Sequence, residues 1–432
     1  MKKLIDKSHY KPRIIDEAVE RYLELFGAVC IEGPKWCGKT WTSSFHCKSE
    51  FFIGDPRNNF QNRRLAEVSP DLILMGDAPR LLDEWQEVPS IWDAVRHTVD
   101  ERGEKGQFIL TGSSTPKRKG IMHSGAGRIG RLRMRTMSLY ESGDSNGLVS
   151  LKDLCNGKLE QAMTGDVELL HLAYLVVRGG WPGNINVSAE NASVLPKSYI
   201  SAILEDDSQR LDDRKYDVRK MRLLLHSLAR NESTTASQNK LINDIKGDSG
   251  RNEDESVNRE TVQVYLDVFS RLFLLDNQLP FSSNLRSPIR VKQAEKRHFC
   301  DPALACALLK ATPERLVGDL NTFGFMFEAL VERDLKIYAE SFGANVYHYQ
   351  DYGNREIDAV VELDDGRWCA FEIKLGANQI DKAAANLISI SKSIEATGGV
   401  APSVLCVICG LTNAAYRRPD GVFVVPVTAL KN

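Results

Sequence analysis

Long hydrophobic runs and an excess of charge of one sign are both missing from this 432-residue sequence, whose formal net charge is −2. The longest apolar runs, Val404–Ile408 and Val422–Val427, are far shorter than the roughly 18 residues that a bilayer requires. The basic start Met1-Lys2-Lys3 is not followed by an apolar signal segment. We therefore expect a cytoplasmic protein without a membrane span. Any affinity for nucleic acid has to come from local patches of charge.

Clustered metal-binding patterns of cysteine and histidine are also missing. The nine cysteines follow no repeating spacing, and the eight histidines form no H-x-x-x-H pattern. Cys406 and Cys409 lie within the apolar run VLCVICG with no second pair nearby, so we interpret them as buried strand residues. The sequence thus argues against a zinc site and against Cys–His chemistry, and it fits a reducing compartment.

What the sequence does have is enough apolar residues, 42%, for several cores, and its length predicts about three domains. Residues 1–148 alternate short apolar strands with polar helical stretches, which is typical of a parallel α/β sheet. Residues 149–311 are mostly helical, and residues 312–432 open with an apolar-periodic helix and continue with strands. The predicted strands of the first block are Ala28–Glu32, Glu50–Ile53, Arg80–Asp83 and Gln107–Leu110.

The first strand is followed at once by GPKWCGKT, which fits the phosphate-binding pattern G-x-x-x-x-G-K-[ST] without a mismatch. Its glycines permit the tight turns that aim backbone N–H groups at an anion, and the next helix adds its positive N-terminal end. We expect Lys39 to reach the β- and γ-phosphates of ATP and the Thr40 hydroxyl to bind Mg²⁺. The predicted nucleotide contacts are Gly33, Pro34, Lys35, Trp36, Cys37, Gly38, Lys39, Thr40 and Trp41.

Carboxylates at the end of a neighbouring strand complete this prediction. Asp83 ends the strand Arg80–Asp83 and is the predicted Mg²⁺ partner, whereas Glu84 is the predicted general base that polarises the attacking water. The strand Gln107–Leu110 runs into Thr111-Gly112-Ser113-Ser114. We expect Ser113 to sense the γ-phosphate or to position the water.

A basic stretch follows, with seven Lys and Arg and no acid between Lys117 and Arg135. Arg128 or Arg131 is a candidate arginine finger that neutralises charge on the transferred phosphoryl group. Contact with nucleic-acid phosphates and a solvated basic loop are the alternatives. The seven residues are Lys117, Arg118, Lys119, Arg128, Arg131, Arg133 and Arg135.

In order, GPKWCGKT, LLDEWQEVP, FILTGSS and a basic stretch ending in MSLYE resemble the N-terminal module of a large group of predicted bacterial and archaeal AAA+-type ATPases. The resemblance implies an ATPase joined to a C-terminal region of unknown function. It leaves open whether the ATPase works as a monomer or an oligomer.

The middle block predicts a winged helix. Apolar periodicity gives helices over Lys220–Ala229 and Gln238–Ile245, and a third helix that begins near Asn258 as its cap. Phe273–Leu275 and Gln278–Pro280 then predict a hairpin. In such a fold the third helix enters the major groove of DNA, but its polar residues here are few and mixed in charge. Packing or dimerisation is the alternative role.

The C-terminal block places two carboxylates and a lysine on one hairpin. Asp358 lies on a strand, Asp364-Asp365-Gly366 is a turn signal, and the return strand carries Glu372 and Lys374 on the same face. Such a set predicts a divalent-metal site, for Mg²⁺ or Mn²⁺, with Glu328 from the preceding helix as a further ligand. A surface hairpin with a Glu372–Lys374 ion pair is the alternative.

This order, a helix with Glu328, strands with Asp358 and with Glu372 and Lys374, then a helix and a strand, resembles the restriction-endonuclease-like PD-(D/E)xK superfamily. The resemblance implies metal-dependent cleavage of DNA, with Asp358, Glu372 and Lys374 as catalytic residues. The proline of the superfamily's name is absent, because Glu356-Ile357 precedes Asp358.

Taken together, these features predict an α/β protein: a P-loop ATPase, a winged-helix domain and a nuclease-like domain that act on DNA. The alternative is an ATP-dependent switch for a protein partner with an inactive nuclease-like domain. A small-molecule kinase also uses a P-loop, but it explains neither Glu84 beside Asp83 nor the second half of the chain.

Overall fold

A computed structural model describes residues 6–115, 121–211, 214–247, 257–284, 293–351 and 353–432. By contacts the chain divides into two compact units. The first comprises Met1–Thr136, Asp206–Lys215 and Val268–Leu274, and the second Met137–Glu205, Tyr216–Asp267 and Leu275–Asn432. Within the part of the chain that the structure describes, no helix is both long enough and apolar enough to cross a bilayer.

The first unit is built on a parallel sheet, as the sequence predicts, and the sheet has a fifth strand beyond the four predicted ones. Its strands are β1 (Ala28–Glu32), β2 (Ser49–Phe52), β3 (Arg80–Asp83), β4 (Phe108–Gly112) and β5 (Ile129–Arg133). Their order is β2-β3-β4-β1-β5, and the paired strands are all parallel. The predicted strands are confirmed to within two residues at either end.

Helices cover both faces of this sheet, which explains why its central strands are apolar throughout. Along β1, Ala28 and Cys30 belong to one core cluster with residues of the helix Ile91–Arg102 (α5). Val29 and Ile31 belong to a second cluster with a residue of the helix Asp16–Leu25 (α1). The helices of this region are α1 (Asp16–Leu25), α2 (Lys39–His46), α3 (Arg57–Val68, with left-handed backbone at Asn58–Phe60), α4 (Pro70–Ile73) and α5 (Ile91–Arg102).

The three helices predicted in the middle block are present. They are α11 (Val218–Arg230), α12 (Gln238–Gly247) and α13 (Arg259–Arg271). Thr261 N donates to Asn258 Oδ1 at 2.8 Å, so the predicted cap of the third helix is formed. The remaining helices in chain order are α6 (Leu139–Ser142), α7 (Leu151–Cys155), α8 (Leu169–Arg178), α9 (Val194–Ala202), α10 (Ser208–Arg210), α11 (Val218–Arg230), α12 (Gln238–Gly247), α13 (Arg259–Arg271), α14 (Pro302–Leu309), α15 (Pro313–Gly318), α16 (Leu320–Ser341) and α17 (Ile380–Ala396).

The hairpin predicted between Phe273–Leu275 and Gln278–Pro280 is wrong. Phe273 lies in a turn with φ 55°, and the extended residues 275–280 do not pair with each other. They pair antiparallel with a later segment through the bridges Leu275–Phe299 and Gln278–Lys296. The Asp276-Asn277 sequence suggests a turn, but Asn277 is used in this pairing. Its Oδ1 accepts from His298 N at 3.2 Å, and its Nδ2 donates to Glu295 at 2.8 Å.

The second unit contains a mixed sheet in the order β7-β12-β13-β11-β10-β9-β8. The predicted turn before Arg367 is confirmed, with Gly366 at φ 85°, and it joins the antiparallel pair β9 and β10. β10 pairs parallel with β11 after the α17 crossover. The strands are β6 (Val149–Ser150), β7 (Ala162–Met163), β8 (Asn345–Gln350), β9 (Glu356–Glu362), β10 (Trp368–Gly376), β11 (Val404–Leu411), β12 (Ala414–Arg417), β13 (Phe423–Pro426) and β14 (Leu430–Lys431).

Within the second unit, strand pairing joins the start of the middle block to the end of the chain. Met163 of β7 pairs with Ala414 of β12, and Val149 of β6 pairs with Leu430 of β14. Residues near the start of the middle block thus extend or accompany strands from the end of the chain. Such pairings leave no signal in local periodicity, because they join residues that are 251 and 281 positions apart.

Candidate functional site

The loop Gly33–Thr40 connects β1 to α2 and needs its glycines. A Cβ atom on Gly33 would lie 2.0 Å from the Met134 carbonyl oxygen, so only glycine fits beside that backbone. Gly38 has φ 110°, in the region that L side chains rarely adopt, and α2 begins at the next residue. The predicted strand–loop–helix geometry is present.

Lys39 is 4% exposed, and its ammonium lies inside this loop. Its Nζ donates to the carbonyl oxygens of Gly33 at 2.9 Å and Pro34 at 2.8 Å. Lys39 is the first residue of α2, so its side-chain cation adds to the positive end of the helix dipole. Anionic phosphates are the ligands that this combination favours.

The other predicted contacts differ in what they offer. Lys35 is ion-paired with Asp207, and the side chains of Trp36 and Trp41 are 52% and 41% exposed. Cys37 is fully buried in the core, where its thiol donates to the Met134 carbonyl at 3.8 Å. Cys37 therefore presents its backbone, and not its thiol, to the loop.

Arg13, for which no role was predicted, supports the loop from outside. Its buried guanidinium donates to the carbonyls of Cys37 at 2.8 Å and Arg135 at 3.0 Å. These bonds tie the loop to the chain beyond β5. No local sequence signal identifies the role, because the two acceptors are backbone atoms 24 and 122 residues away.

Asp83 ends β3, Glu84 follows it, and Thr111 forms hydrogen bonds with both residues. The Thr111 hydroxyl donates to Asp83 Oδ1 at 2.7 Å and accepts from Glu84 N at 2.9 Å. Burial, with the neighbouring Glu84 carboxylate, raises the pKa of Asp83 to about 6, although hydrogen bonds from Thr111 and Thr40 oppose the rise. Asp83 therefore lies within hydrogen-bonding reach of Thr40, as the Mg²⁺ prediction requires.

The Glu84 carboxylate is held by two side chains. Ser113 Oγ donates to Glu84 Oε2 at 2.9 Å, and Gln86 Nε2 donates to the same oxygen and to Ser113 Oγ at 3.2 Å. Glu84 itself has left-handed backbone, φ 59° and ψ 50°, which turns its side chain away from the strand direction. The structure thus brings Ser113 to Glu84 and adds Gln86, for which no role was predicted.

The chemistry of these groups matches Mg²⁺, which prefers oxygen ligands and keeps several waters. The Asp83 carboxylate and the Thr40 hydroxyl are adjacent oxygens that can hold the ion directly or through water. Glu84 is the carboxylate next to them. The arrangement can bind a nucleoside triphosphate with Mg²⁺ and place a base near it.

Arg128 lies at the wrong edge of the sheet for an arginine finger acting on its own chain's nucleotide. It precedes β5, whose first residue Ile129 pairs with Ala28 at the start of β1, whereas the loop follows the end of β1. Five residues separate the two edges, or about 16 Å at ~3.3 Å per residue. Arg128 instead pairs with Asp100 at 2.8 Å. Of the other basic residues, Lys117, Arg118 and Lys119 lie outside the described residues.

Arg131, the other finger candidate, is engaged within the first unit. Its Nη1 lies 3.1 Å from Glu32 Oε1, and its guanidinium sits over the Trp92 ring at 4.5 Å. The residue is on β5 opposite Cys30, two residues before the strand's end. These contacts account for its charge without a nucleotide.

In the second unit, β9 and β10 bring together Asp358, Glu372 and Lys374, as predicted. Lys374 Nζ lies 2.9 Å from Asp358 Oδ2 and 3.1 Å from Glu372 Oε1. Asp358 Oδ2 also accepts from Ile373 N at 2.7 Å. Burial of Glu372 and its proximity to Asp358 raise the pKa of Glu372 to about 8, although Lys374 opposes the rise.

Glu328, on α16, joins the same charged cluster, but a second lysine is bound to it. Lys296 Nζ donates to Glu328 Oε1 at 2.6 Å. Burial, opposed by Lys296 and reinforced by Asp358, raises the pKa of Glu328 to about 7. The predicted ligands are therefore assembled, but as ion pairs with lysines.

A divalent metal does not fit the carboxylates in this arrangement. Across the described residues, no group of three or more His, Cys, Asp or Glu side chains is placed to hold a metal ion. Lys374 bridges Asp358 and Glu372, and Lys296 is bound to Glu328. One carboxylate oxygen of these acids, Glu372 Oε2, is buried and has no hydrogen-bond partner.

Comparisons with known proteins agree with the site of the first unit. Residues 26–143 match a family described as AAA domain. Residues 169–315 and 323–430 match two families described as domains of unknown function, DUF8612 and DUF4143. No curated protein matches the chain.

Among solved structures, the Walker-type ATPase PABY2304 of Pyrococcus abyssi is similar at 12% identity and a TM-score of 0.44. The alignment covers 70% of this chain and 97% of that one.

The AAA-domain match spans the strand, the phosphate-binding loop, Asp83, Glu84 and Ser113. Together with the geometry of those residues, it supports a P-loop ATPase domain in the N-terminal part of the chain.

Proposed function

We propose that this protein is a Mg²⁺-dependent ATPase whose second unit acts on DNA. The ATPase proposal depends on one observation: three groups of side chains meet at the same edge of the parallel sheet. They are Lys39 in the loop, Asp83 beside Thr40, and Glu84 beside Ser113. Cleavage of the bond between the β- and γ-phosphates needs a cationic cradle, a metal partner and a base, and this edge supplies each of them.

Each residue has a defined task in this proposal. Backbone N–H groups of the loop and the Lys39 ammonium bind the phosphates. Thr40 and Asp83 would hold Mg²⁺, which supplies neutralisation of the phosphate charge. Glu84 accepts a proton from the attacking water, and Ser113 orients the Glu84 carboxylate through their 2.9 Å bond.

Action on DNA is the finer part of the proposal. The middle block has the order of elements found in a winged helix, three helices and then an antiparallel pair. The helices are α11, α12 and α13, and the paired segments are 275–278 and 296–299. The sequence α16, β8, β9, β10, α17, β11, with acids on β9 and β10, supports a nuclease-like fold. Both are fold-level analogies, so they favour DNA without identifying a sequence or strand preference.

A second candidate function is favoured by the ion pairs of Lys296 and Lys374. With these lysines in place, each of the three acids has a cationic partner without a metal. In this candidate the second unit binds a protein partner and does not cleave, and ATP hydrolysis switches that binding.

Cleavage of supercoiled and single-stranded DNA separates the two candidates. The full chain is incubated with Mg²⁺ or Mn²⁺, with and without ATP, beside Lys374→Ala and Lys39→Ala. Lys382→Ala is the matched control, because Lys382 is an exposed lysine of the same unit. DNA binding is measured in parallel at two salt concentrations, since phosphate contacts weaken as salt rises.

The DNA proposal expects salt-sensitive binding, and cutting that is lost in Lys374→Ala and retained in Lys382→Ala. Loss of ATP-stimulated cutting in Lys39→Ala would link the two activities. A wild-type chain that hydrolyses ATP but neither binds nor cuts DNA would support the protein-partner switch instead.

A further inference from the structure

Arg271 is the last residue of α13, and two hydrogen bonds join it to Thr115. Thr115 N donates to Arg271 O at 2.9 Å, and Arg271 Nε donates to Thr115 O at 3.0 Å. The first bond satisfies one of the carbonyls that the end of a helix leaves without an intrahelical partner. Both residues belong to the first unit, which includes Val268–Leu274. They are 156 residues apart in the chain, so no local pattern predicts the contact.

The end of α13 is a firm attachment for Thr115. Phe273 has left-handed backbone at φ 55°, and its N–H donates to Ser270 O at 3.0 Å, while Leu274 N donates to Phe269 O at 2.9 Å. These bonds form a Schellman motif, which closes the last turn of a helix. Leu274 and Phe269 are fully buried, and the Arg133 guanidinium lies over the Phe273 ring at 5.3 Å. The helix end is therefore held in place by the core and by β5.

Thr115 in turn lies two residues beyond Ser113, at the edge of the sheet where the ATPase residues meet. β4 ends at Gly112, whose carbonyl accepts from Gly33 N at 3.2 Å. Ser113 is 3% exposed, and its hydroxyl donates to Glu84 Oε2 at 2.9 Å. The segment that carries this hydroxyl is thus tied to the phosphate-binding loop at one end and to α13 at the other.

We propose that Arg271 is a positioning residue of the ATPase: by fixing Thr115, it keeps the Ser113 hydroxyl against the Glu84 carboxylate. The inference rests on the proposed ATPase and deepens it, because it makes the end of α13 part of the support of the base. Small displacements at such a support are costly, since ~1 Å at a catalytic group reduces a rate by about 10²-fold.

A double-mutant cycle in ATP hydrolysis by the full chain tests this inference. Arg271→Met keeps an unbranched apolar side chain and removes the guanidinium, Ser113→Ala removes the hydroxyl at the other end of the path, and the double variant combines both. Arg271→Lys keeps the charge. Arg230→Met is the matched control, because Arg230 is the exposed last residue of α11. We would measure kcat and KM beside the affinity for a non-hydrolysable ATP analogue, and follow folding by thermal unfolding.

We expect Arg271→Met and Ser113→Ala each to lower kcat about tenfold with unchanged analogue affinity, since both disturb the base and leave the phosphate-binding loop intact. The double variant should lose about as much as either single variant, because the two changes interrupt one path. Arg271→Lys should recover most of the lost kcat, and Arg230→Met should behave as wild type does. A residue that only stabilises the fold would lower the unfolding temperature without this non-additivity.

Thr115→Pro gives an independent route to the same result. It removes the amide donor of the other bond and leaves the sequence of α13 unchanged. The inference therefore stays testable if Arg271→Met is unfolded at the assay temperature. We expect the same loss of kcat with unchanged analogue affinity.

Unchanged kcat in folded Arg271→Met or Thr115→Pro overturns the inference. So does a loss in the double variant equal to the product of the two single losses, or a loss of analogue affinity as large as the loss of kcat. Each of these results is read against a wild-type chain that hydrolyses ATP. A wild type without hydrolysis refutes the ATPase proposal first, and the inference falls with it.

Discussion

Replacement of Thr111 by valine should impair both the stability of the first unit and its use of Mg²⁺. Valine has nearly the same shape but lacks the hydroxyl that donates to Asp83 and accepts from Glu84 N. A hydrogen bond to a charged group contributes about 1.5–3 kcal/mol, and the lost acceptor for the half-buried Glu84 N–H adds up to about 1 kcal/mol. We therefore expect Thr111→Val to lose about 2–4 kcal/mol in the free energy of unfolding.

The effect on Mg²⁺ follows from the pKa of Asp83. Burial already raises it to about 6, and the Thr111 hydroxyl is one of the groups that hold it down. Without that bond the pKa of Asp83 rises further, so a proton competes with Mg²⁺ at pH 7. The Mg²⁺ concentration that gives half-maximal ATP hydrolysis should increase in Thr111→Val, and it should fall back toward the wild-type value as pH is raised.

Urea unfolding and ATP hydrolysis against Mg²⁺ concentration measure the two effects. Thr42→Val is the control, since Thr42 is equally buried but its hydroxyl meets the neutral Tyr10 hydroxyl at 2.9 Å. A neutral bond contributes only about 0.5–1.5 kcal/mol. A Thr111→Val chain with the Mg²⁺ dependence of wild type, and no larger stability loss than Thr42→Val, would refute this reasoning.

Three further predictions concern the base, a buried ion pair and pH. Glu84→Gln should slow steady-state ATP hydrolysis by about 10²–10⁴-fold while keeping nucleotide affinity. The control Glu87→Gln, at an exposed glutamate, should not slow hydrolysis. Normal turnover in Glu84→Gln would contradict the base assignment. Arg333→Met should cost about 3–5 kcal/mol in urea unfolding, because it leaves the buried carboxylates of Asp301 and Asp334 without the guanidinium that lies 2.9 and 2.7 Å away; a loss below 1 kcal/mol would contradict this. The buried Glu232–His298 pair should retain one proton when folded, because burial raises the pKa of Glu232 well above 4.5 and lowers that of His298 well below 6.5. Above pH 6.5 the same two side chains hold no proton in the unfolded chain, so the free energy of unfolding should fall as pH rises. The fall should be up to ~1.4 kcal/mol per pH unit steeper in wild type than in Glu232→Gln. Equal slopes of unfolding free energy against pH in the two chains would contradict the assignment.

The sheet of the first unit could be predicted because its signals are local. Each of its central strands is an apolar run that ends in glycine, carboxylate or hydroxyl residues, and buried parallel strands require that pattern. The loop residues Gly33–Thr40 and the acids Asp83 and Glu84 follow from the same runs, since the carboxyl ends of parallel strands share one edge. The helices of the middle block could be predicted from their apolar periodicity.

What the sequence could not supply is the choice of partners. Charge alone made Arg128 a candidate finger, but the register of β5 against β1 puts it at the opposite edge. Asparagine is a residue type that is common in turns, but the Asn277 side chain instead forms hydrogen bonds with Glu295 and with the backbone of His298. Lys296, Arg13 and Gln86 act through residues or backbone atoms whose proximity only the fold defines.

The most direct test of the ATPase assignment is phosphate release from ATP by the full chain with Mg²⁺, with and without DNA. Wild type is compared with Lys39→Ala, and with wild type in excess chelator. We predict hydrolysis that needs Mg²⁺ and is abolished in Lys39→Ala, since the loop encloses the Lys39 ammonium, which is expected to bind the phosphates. Hydrolysis equal in both chains, or a wild type that neither binds nor hydrolyses ATP, would contradict the account.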